Sequence, residues 1–201
     1  MLNLQNMLYS LPGILLGLTV HEFCHALCAW RLGDDTAREE GRLTLNPLRH
    51  IDPVGFLFLL VVGFGWAKPV RFNPARLRNY RRDRALIALA GPFSNLALGI
   101  VLALALRAAL SAAAPSIAFL NGLYVAALIN FALFIFNMLP IPPLDGSHVV
   151  FSLFNAKPKT EILLAKIGMP ALIALLLIQN FASISILPIG AAARALVDFF
   201  L

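Results

Sequence analysis

The stretch LYSLPGILLGLTVHEFCHALCAW, residues 8–30, decides the fold class of this chain. A helix needs about 20 apolar residues to cross the roughly 30 Å hydrocarbon core of a bilayer, and this stretch is long enough. Its last third nevertheless contains His21, Glu22 and His25. Ionisable side chains inside a span are costly and mark functional sites, so the stretch predicts a site at membrane depth.

The composition of the whole chain agrees with a membrane protein. Of the 201 residues, 60% are hydrophobic and only 13% are charged, which lies outside the range of soluble domains. Much of the net charge of +6 comes from one loop, which holds Lys68, Arg71, Arg76, Arg78, Arg81, Arg82 and Arg84. The positive-inside rule produces such a cluster. Because no aromatic platform or DNA-binding motif accompanies it, we expect no nucleic-acid partner.

The apolar pattern predicts an all-α polytopic membrane protein that forms a single domain over residues 1–201. We expect about five transmembrane helices, at about Leu8–Trp30, Ala85–Leu106, Ile117–Leu139, Ile162–Gln179 and, more weakly, Ile184–Leu201. Residues 54–66 are apolar but too few to cross, which favours a re-entrant or tilted segment. Alternation over residues 42–46 suggests a strand of a short membrane-associated β-hairpin.

The placement of charge predicts the orientation in the membrane. If residues 54–66 do not cross, the basic loop lies on the same side as Lys157 and Lys159, which is the cytoplasmic side. The uncharged joint over residues 111–115 and the amino terminus are then outside. His21 and His25 lie about 8 to 14 Å inside the cytoplasmic end of their helix, at 1.5 Å per residue. Asp145 lies just past the cytoplasmic end of the third long span, so a turn back inward brings it to the same depth.

His21-Glu22-Phe23-Cys24-His25 has the H-E-x-x-H form. Its histidines project from one helical face and can share a zinc ion, while Glu22 can act as a base toward water. The other interpretation is a polar cluster satisfied between packed helices. Because catalytic zinc usually takes three protein ligands, a third ligand must come from elsewhere in the chain.

Asp145 is the acidic residue best suited to be that third ligand. Glu161 and Asp198 have ordinary explanations near helix ends. Asp145 also suits a turn in Pro-Pro-Leu-Asp-Gly, so the turn interpretation stays open. Three further side chains remain open as ligands, against roles in packing or in neutral polar contacts: Cys28, His50 and His148.

Four further motifs accompany H-E-x-x-H. They are Gly91-Pro92-Phe93-Ser94-Asn95, Phe136-Asn137-Met138-Leu139-Pro140-Ile141-Pro142-Pro143-Leu144-Asp145-Gly146, Gly41-Arg42-Leu43-Thr44-Leu45-Asn46-Pro47 and Gly65-Trp66-Ala67-Lys68-Pro69. Together they resemble the site-2 protease family of intramembrane zinc metalloproteases, in its compact bacterial form without PDZ or CBS domain. The resemblance covers almost the whole chain.

The resemblance implies a role for each matching residue. One zinc ion per chain would be bound by His21, His25 and Asp145, and Glu22 would be the catalytic base. Asn137 would hydrogen-bond the substrate carbonyl or its oxyanion. Asn95 would be a second polar contact for the substrate, with helix packing as the alternative.

A further segment is a candidate for contact with the substrate backbone. We expect it to pair as an added strand with a locally unwound substrate helix, or else to form an ordinary hairpin at the lipid surface. Its residues are Arg42, Leu43, Thr44, Leu45 and Asn46.

These observations predict an intramembrane zinc metalloprotease that hydrolyses peptide bonds in or near transmembrane segments of membrane proteins. We expect it in a bacterial cell membrane, with its site open toward the cytoplasm. A metal-ion transporter is one alternative, but it should show a polar track across the membrane. A catalytically inactive adaptor is the other, and it should have lost Glu22 or a ligand. The sequence carries no signal for substrate identity or oligomeric state.

Overall fold

The computed structural model describes residues 4–62, 65–111, 116–181 and 186–201. Within these ranges the chain forms eight α-helices, two short 3-10 helices and no β-strand. The α-helices are α1 (Leu4–Arg31), α2 (Thr36–Glu39), α3 (Pro53–Val62), α4 (Tyr80–Leu110), α5 (Ile117–Asn137), α6 (Asp145–Leu153), α7 (Pro158–Phe181) and α8 (Ile189–Phe200). The 3-10 helices are Pro47–Arg49 and Pro74–Arg76.

Four helices are long and apolar enough to cross a membrane, and the protein is an integral membrane protein. These candidate spans are Tyr9–Arg31, Tyr80–Leu110, Ile117–Asn137 and Pro158–Gln179. The second begins earlier than predicted because Asn79 caps it: the side-chain oxygen of Asn79 accepts a hydrogen bond from the Arg82 N–H at 3.2 Å. The first turns of this helix are therefore basic.

The predicted fifth span is a shorter helix among the described residues. α8 has 12 residues, which corresponds to about 18 Å and is too short for a crossing. Its wholly buried residues Ala193 and Val197 pack against α4 and α5, together with Phe131. Part of its apolar character therefore serves helix packing. Residues 184 and 185 of the predicted span lie outside the described residues.

The segment that contains α3 begins and ends at the same place in the fold. α3 has 10 residues, about 15 Å, so it does not reach across a bilayer. Ile51 and Ala67 form an isolated antiparallel bridge, and the Lys68 N–H donates to the His50 carbonyl at 2.8 Å. The two ends of the segment 54–66 therefore lie side by side. Residues 63 and 64 are outside the described part.

The predicted strand over residues 42–46 does not form, and no hairpin is found among the described residues. The Thr44 N–H donates to the Arg42 carbonyl at 2.9 Å, and Asn46 accepts from the Leu48 N–H at 3.1 Å. The Arg42 guanidinium donates to the carbonyls of Arg49 and Lys68. These backbone and side-chain bonds compete with a strand ladder. The alternation of apolar residues alone does not reveal them.

The bundle is organised around α1, α4 and α5, which pack on one another. Small residues let their backbones approach closely, as is usual between transmembrane helices. α6 packs against α4 and so reaches the middle of the bundle. The exposed apolar side chains of the spans, such as Val101 and Leu104, suit contact with lipid. This arrangement brings the first turn of α6 next to the last third of α1.

Candidate active site

Three ligand-type side chains from α1 and α6 converge inside the bundle. The Nε2 atoms of His21 and His25 lie 2.9 Å apart. The Oδ2 atom of Asp145 lies 3.1 Å from His21 Nε2 and 3.4 Å from His25 Nε2. Of the residues that the structure describes, these are the ones grouped closely enough to hold a metal ion.

Local sequence explains how each ligand reaches the centre. Side chains four residues apart lie on the same face of a helix, which aligns the two histidines of α1. Prolines after Leu139 end α5 because they cannot continue helical hydrogen bonding. α6 then starts at Asp145. The next residue, Gly146, sits against the carbonyls of Met138 and Leu139, where a Cβ would overlap them.

His21 is oriented by a chain of buried amides. Its Nδ1–H donates to Asn95 Oδ1 at 2.6 Å. Asn95 Nδ2 in turn donates to the Gly17 carbonyl and to Asn130 Oδ1, both at 3.0 Å. Because this Asn95 nitrogen already donates, its oxygen is the acceptor for His21. The proton of a neutral His21 ring is therefore on Nδ1, and its Nε2 carries a lone pair.

His25 is oriented in the same way by the backbone of α4. Its Nδ1–H donates to the Ile87 carbonyl at 2.7 Å. A carbonyl can only accept, so this ring too has its proton on Nδ1. Metal-binding histidines commonly donate their other ring N–H to a carbonyl or carboxylate, which fixes the tautomer. Both rings of α1 show this pattern.

The chemistry of the cluster fits zinc. Two Nε2 lone pairs and a carboxylate oxygen face one another, and the buried Asp145 Oδ2 has no hydrogen-bond donor. Three converging acceptors repel one another unless a cation or a proton lies between them. Gly91 of α4 provides the space, since a Cβ there would overlap His25 Nε2 and lie 2.7 Å from His21 Cε1. Two imidazoles and one carboxylate are also a common ligand set of catalytic zinc.

Glu22 lies beside this cluster and is tied to a loop. The side chain is 7% exposed, and its Oε2 accepts a hydrogen bond from the Val70 N–H at 3.0 Å. Arg42 holds the same loop through the Lys68 carbonyl. Burial lowers the pKa of Arg42, while Glu22 and then Glu40 act to raise it. The carboxyl group of Glu22 is therefore held by one backbone donor and lies near enough to Arg42 for their charges to interact.

The cluster opens into a cavity of about 770 Å³. Most of its lining is apolar and comes from α1, α3, α5, α7 and the segment 65–70. The cavity is large enough for several residues of an extended chain. Its polar lining includes Glu22, His50, Asp52, Arg84, Asn137, Asp145 and His148.

The predicted substrate contacts fall into two groups. Asn137 lines the cavity, and its Nδ2 donates to the Leu133 carbonyl at 3.0 Å, which leaves its side-chain oxygen and second N–H for other contacts. Asn95 does not line the cavity, because it is wholly buried behind His21. This placement argues for helix packing and histidine orientation instead of substrate contact.

The segment 42–46 is likewise not part of the cavity lining. Arg42 is buried and points at loop carbonyls, whereas Leu45 is 60% exposed. The lining instead comes from the next residues, Pro47 and 50–52, and from 65–70. Substrate contact by residues 42–46 is therefore not supported, since their polar groups are used to hold the loop.

The alternative ligands lie apart from the cluster. His50 Nε2 donates to the Thr44 carbonyl at 2.8 Å, and Arg84 donates to His148 Nδ1 at 2.9 Å. Cys28 packs beside Ala29 and Ile87. None of these three side chains belongs to the ligand group in the described structure.

Several residues of the site had no clear signal in the sequence. Val70 acts through its backbone N–H, which any residue except proline has. The positive-inside rule accounts for Arg84 and a helix start for Glu161, yet the two side chains form an ion pair at 2.8 Å in which Arg84 is buried. A charged residue directly before the apolar run at residue 85 was the available hint for Arg84. Asn130 lies within a predicted span, and nothing in the pattern marks it as a partner of Asn95.

Known proteins are similar in sequence to this chain. The family model described as Peptidase family M50 matches residues 9–179, which include every residue of the cluster and Glu22. The protein named "Putative zinc metalloprotease YwhC" of Bacillus subtilis is 39% identical over 154 residues, which cover 73% of this chain and 69% of that protein. No solved structure matches the chain.

Mycobacterial relatives match as well. "Putative zinc metalloprotease Rip2" of Mycolicibacterium smegmatis is 36% identical over 164 residues, covering 77% of this chain and 60% of the relative. The protein of the same name from Mycobacterium tuberculosis strain H37Rv is 34% identical over 174 residues, covering 84% and 65%. The chain thus spans about two thirds of the length of these relatives.

Proposed function

The chain belongs to peptidase family M50, and from this membership and the geometry of its centre we propose that it is an intramembrane zinc endopeptidase. The membership confirms the resemblance to site-2 proteases and supports Zn²⁺ as the cofactor. The substrates we propose are membrane proteins, cut in or near their transmembrane segments. A peptidase family favours this reaction over metal-ion transport and over an inactive adaptor.

One observation carries the proposal. Two histidines of a membrane-spanning helix and an aspartate from another helix converge beside Glu22 at the wall of one cavity. Charged groups at this depth are costly unless they are paired or functional. We assign His21, His25 and Asp145 as the zinc ligands, with one ion per chain.

The residues around the centre suit peptide hydrolysis. When bound, zinc acts as a Lewis acid toward water and toward the scissile carbonyl. Glu22 takes a proton from the attacking water and later delivers it to the leaving amine. The Val70 N–H keeps the carboxylate of Glu22 in place for both transfers. Asn137, on the cavity wall, donates a hydrogen bond to the oxygen of the carbonyl as negative charge develops there.

The substrate must enter the cavity in an extended form, because a helix shields its own peptide bonds. The mostly apolar lining suits a transmembrane segment that has unwound locally. The segment 65–70 borders the cavity and is tied to Glu22, so it is better placed than residues 42–46 to contact such a chain. We place α3 as a re-entrant element, since its ends meet at the Ile51–Ala67 bridge.

The orientation follows from charge. Basic residues precede and begin α4, and Lys157 and Lys159 lie at the start of α7, so we place these ends in the cytoplasm. The amino terminus is then outside, and the centre opens toward the cytoplasmic side. We infer a single membrane domain over residues 1–201 in a bacterial cell membrane.

The test compares the wild type with Glu22→Gln in the same membranes. The amide keeps the size of the side chain but cannot take the proton of water. Quantitative proteomics should find transmembrane proteins that are cut by the wild type and intact with Glu22→Gln. We expect the variant to retain zinc and to lose about 10⁴ in single-turnover rate on a substrate so found, because Glu22 serves two proton transfers. A zinc-loaded Glu22→Gln enzyme with near wild-type rate would reject the function.

A further inference from the structure

We propose that His148 is a further catalytic residue, whose Nε2–H donates a hydrogen bond to the substrate oxygen that becomes negative during peptide hydrolysis. The proposal rests on the proposed function. It assigns no proton transfer to His148: the ring remains neutral, and its bond strengthens as charge develops. Donors aimed at a developing oxyanion contribute about 10² to 10³ in rate when water is excluded.

His148 is placed for this role by α6. It follows the ligand Asp145 by three residues, and side chains at this spacing lie on the same face of a helix. Both side chains line the cavity that contains Glu22 and Asn137. His148 is half-buried, so part of the ring meets the space where a substrate would lie. Its ring stands edge-to-face on Phe151 at a centroid distance of 6.5 Å, which restricts its rotation.

The hydrogen-bond partner of His148 fixes which nitrogen carries the proton. Arg84 Nη2 lies 2.9 Å from His148 Nδ1. A guanidinium can only donate, so Nδ1 accepts and the proton of the neutral ring is on Nε2. Burial, and after it the positive charge of Arg84, lowers the pKa of His148 below its ordinary value. Because Nδ1 accepts from Arg84, the neutral ring presents one N–H, at Nε2.

Arg84 is a positioning residue that is itself held on three sides. Its side chain contacts Glu161 at 2.8 and 2.9 Å and the Tyr80 hydroxyl at 3.1 Å. It is 5% exposed and stacks over Phe151 at 5.8 Å. A buried arginine that served only to pair with Glu161 would not need to direct a further N–H at a histidine. The network joins α4, α6 and α7. It occupies Nδ1 of His148 and leaves Nε2 to donate elsewhere.

The contrast with the α1 histidines separates this role from metal binding. His21 and His25 donate through Nδ1 and keep Nε2 free of a proton, which is the tautomer of a ligand. His148 accepts through Nδ1 and keeps Nε2 protonated, which is the tautomer of a donor. A positive guanidinium on the far nitrogen also opposes coordination of a cation.

The kinetic test replaces His148 by Gln or by Asn, two amides whose side chains differ in length. The side-chain nitrogen of Gln overlaps the position of His Nε2, whereas that of Asn overlaps Nδ1. His148→Gln should remain within about tenfold of the wild-type kcat, and His148→Asn should lose about 10² to 10³, with KM within about threefold and zinc content unchanged in both. The substrate is the transmembrane segment cut by the wild type and spared by Glu22→Gln, in proteoliposomes.

The spectroscopic test needs no substrate. The chain has four histidines, so ¹⁵N-histidine labelling gives a readable spectrum in which His148 is assigned by its loss in His148→Gln. We expect the neutral Nε2–H form at pH 7 in the wild type, and a mixture of tautomers in Arg84→Met. A structural role of Arg84 alone would leave the tautomer unchanged.

Three results would overturn the proposal: wild-type kcat in His148→Asn, equal losses of kcat in both amide variants, or an Nδ1–H tautomer in the wild type. Absence of zinc-dependent cleavage by the wild type would instead reject the proposed function. The two failures are thus distinguishable.

Discussion

The centre has two sides that are held in different ways. On the ligand side, defined as His21, His25 and Asp145, the second nitrogen of each histidine is fixed by α4: by Asn95 in one case and by the Ile87 carbonyl in the other. On the cavity side, defined as Glu22, Asn137 and His148, the partners are a loop N–H, a carbonyl one turn earlier in α5, and Arg84.

The difference between the two sides indicates separate functions: one side binds the metal, and the other acts on the substrate. The ligand side is built from helices packed so closely that a Cβ at Gly91 or Gly146 would overlap neighbouring atoms, so it can hold a metal in a fixed geometry. The cavity side faces open space, and its groups keep atoms for the substrate. Changes on the ligand side should therefore alter zinc affinity, and changes on the cavity side should alter turnover by the zinc-loaded protein.

We expect Asn137→Ala to show the largest loss of turnover without loss of zinc. The change removes a donor to the developing oxyanion, so the single-turnover rate should fall by about 10² to 10³. Zinc content of the purified protein should remain that of the wild type. Loss of zinc in Asn137→Ala would place this residue on the ligand side and break the comparison.

Gly91→Ala tests the ligand side by adding one methyl group to the space beside the two histidines. The added Cβ would overlap His25 Nε2, so we expect zinc affinity to fall by about 100-fold, at the upper end of changes around metal sites. The matched control is Gly122→Ala in α5, where nothing lies within 4 Å of the added atom. Competition with a zinc chelator measures both. Equal affinities for the two variants would show that α4 does not shape the centre.

Asn95→Ala removes one hydrogen bond from the ligand side. His21 loses the acceptor that holds its tautomer, and zinc affinity should fall by about 10 to 100-fold. Asn121→Ala, an exposed asparagine of α5, serves as the control. The result also decides the role of Asn95, because a substrate contact would raise KM at full zinc occupancy.

Val70→Pro gives the smallest expected effect, on the cavity side. Proline lacks the N–H that Glu22 accepts, and a bond to a charged group is worth about 1.5 kcal/mol, or roughly tenfold in rate. Val70→Ala keeps the N–H and should retain the wild-type rate. Zinc content should be unchanged in both variants. A wild-type rate in a folded, zinc-loaded Val70→Pro protein would show that the loop does not position Glu22.

The sequence predicts those features of the fold that depend on side-chain type, and fails for those that depend on where a side chain lies. The four long spans follow from length and apolarity, which is why the helices containing residues 21, 95, 137 and 167 were predicted. The strand predicted over residues 42–46 does not form, since Arg42 and Asn46 make hydrogen bonds whose geometry no alternation pattern encodes. Similarly, the last apolar stretch reads as a span until the packing of Ala193 is known.

The site shows the same limit. H-E-x-x-H places two histidines on one helical face by periodicity, and the structure brings Asp145 to them. The contact between Arg84 and His148 joins residues 64 positions apart. The positive-inside rule accounts for Arg84, and His148 stays open between ligand and polar contact on sequence alone. Val70 contributes only its backbone, so its identity carries no signal. A sequence pattern predicts a residue whose side-chain type decides its role, such as His21. It does not predict one whose position in the fold decides its role, such as Val70.

The most direct test of the central claim is the zinc content of the purified, zinc-equilibrated protein, compared with that of Asp145→Ala and of the control Asp198→Ala. Asp145 supplies the carboxylate oxygen of the cluster, whereas Asp198 is exposed on α8. We predict about one zinc ion per chain in the wild type and in Asp198→Ala, and loss of zinc in Asp145→Ala, because removal of one ligand leaves two imidazoles that cannot hold the ion. Full zinc occupancy in Asp145→Ala, or none in the wild type, would contradict the account.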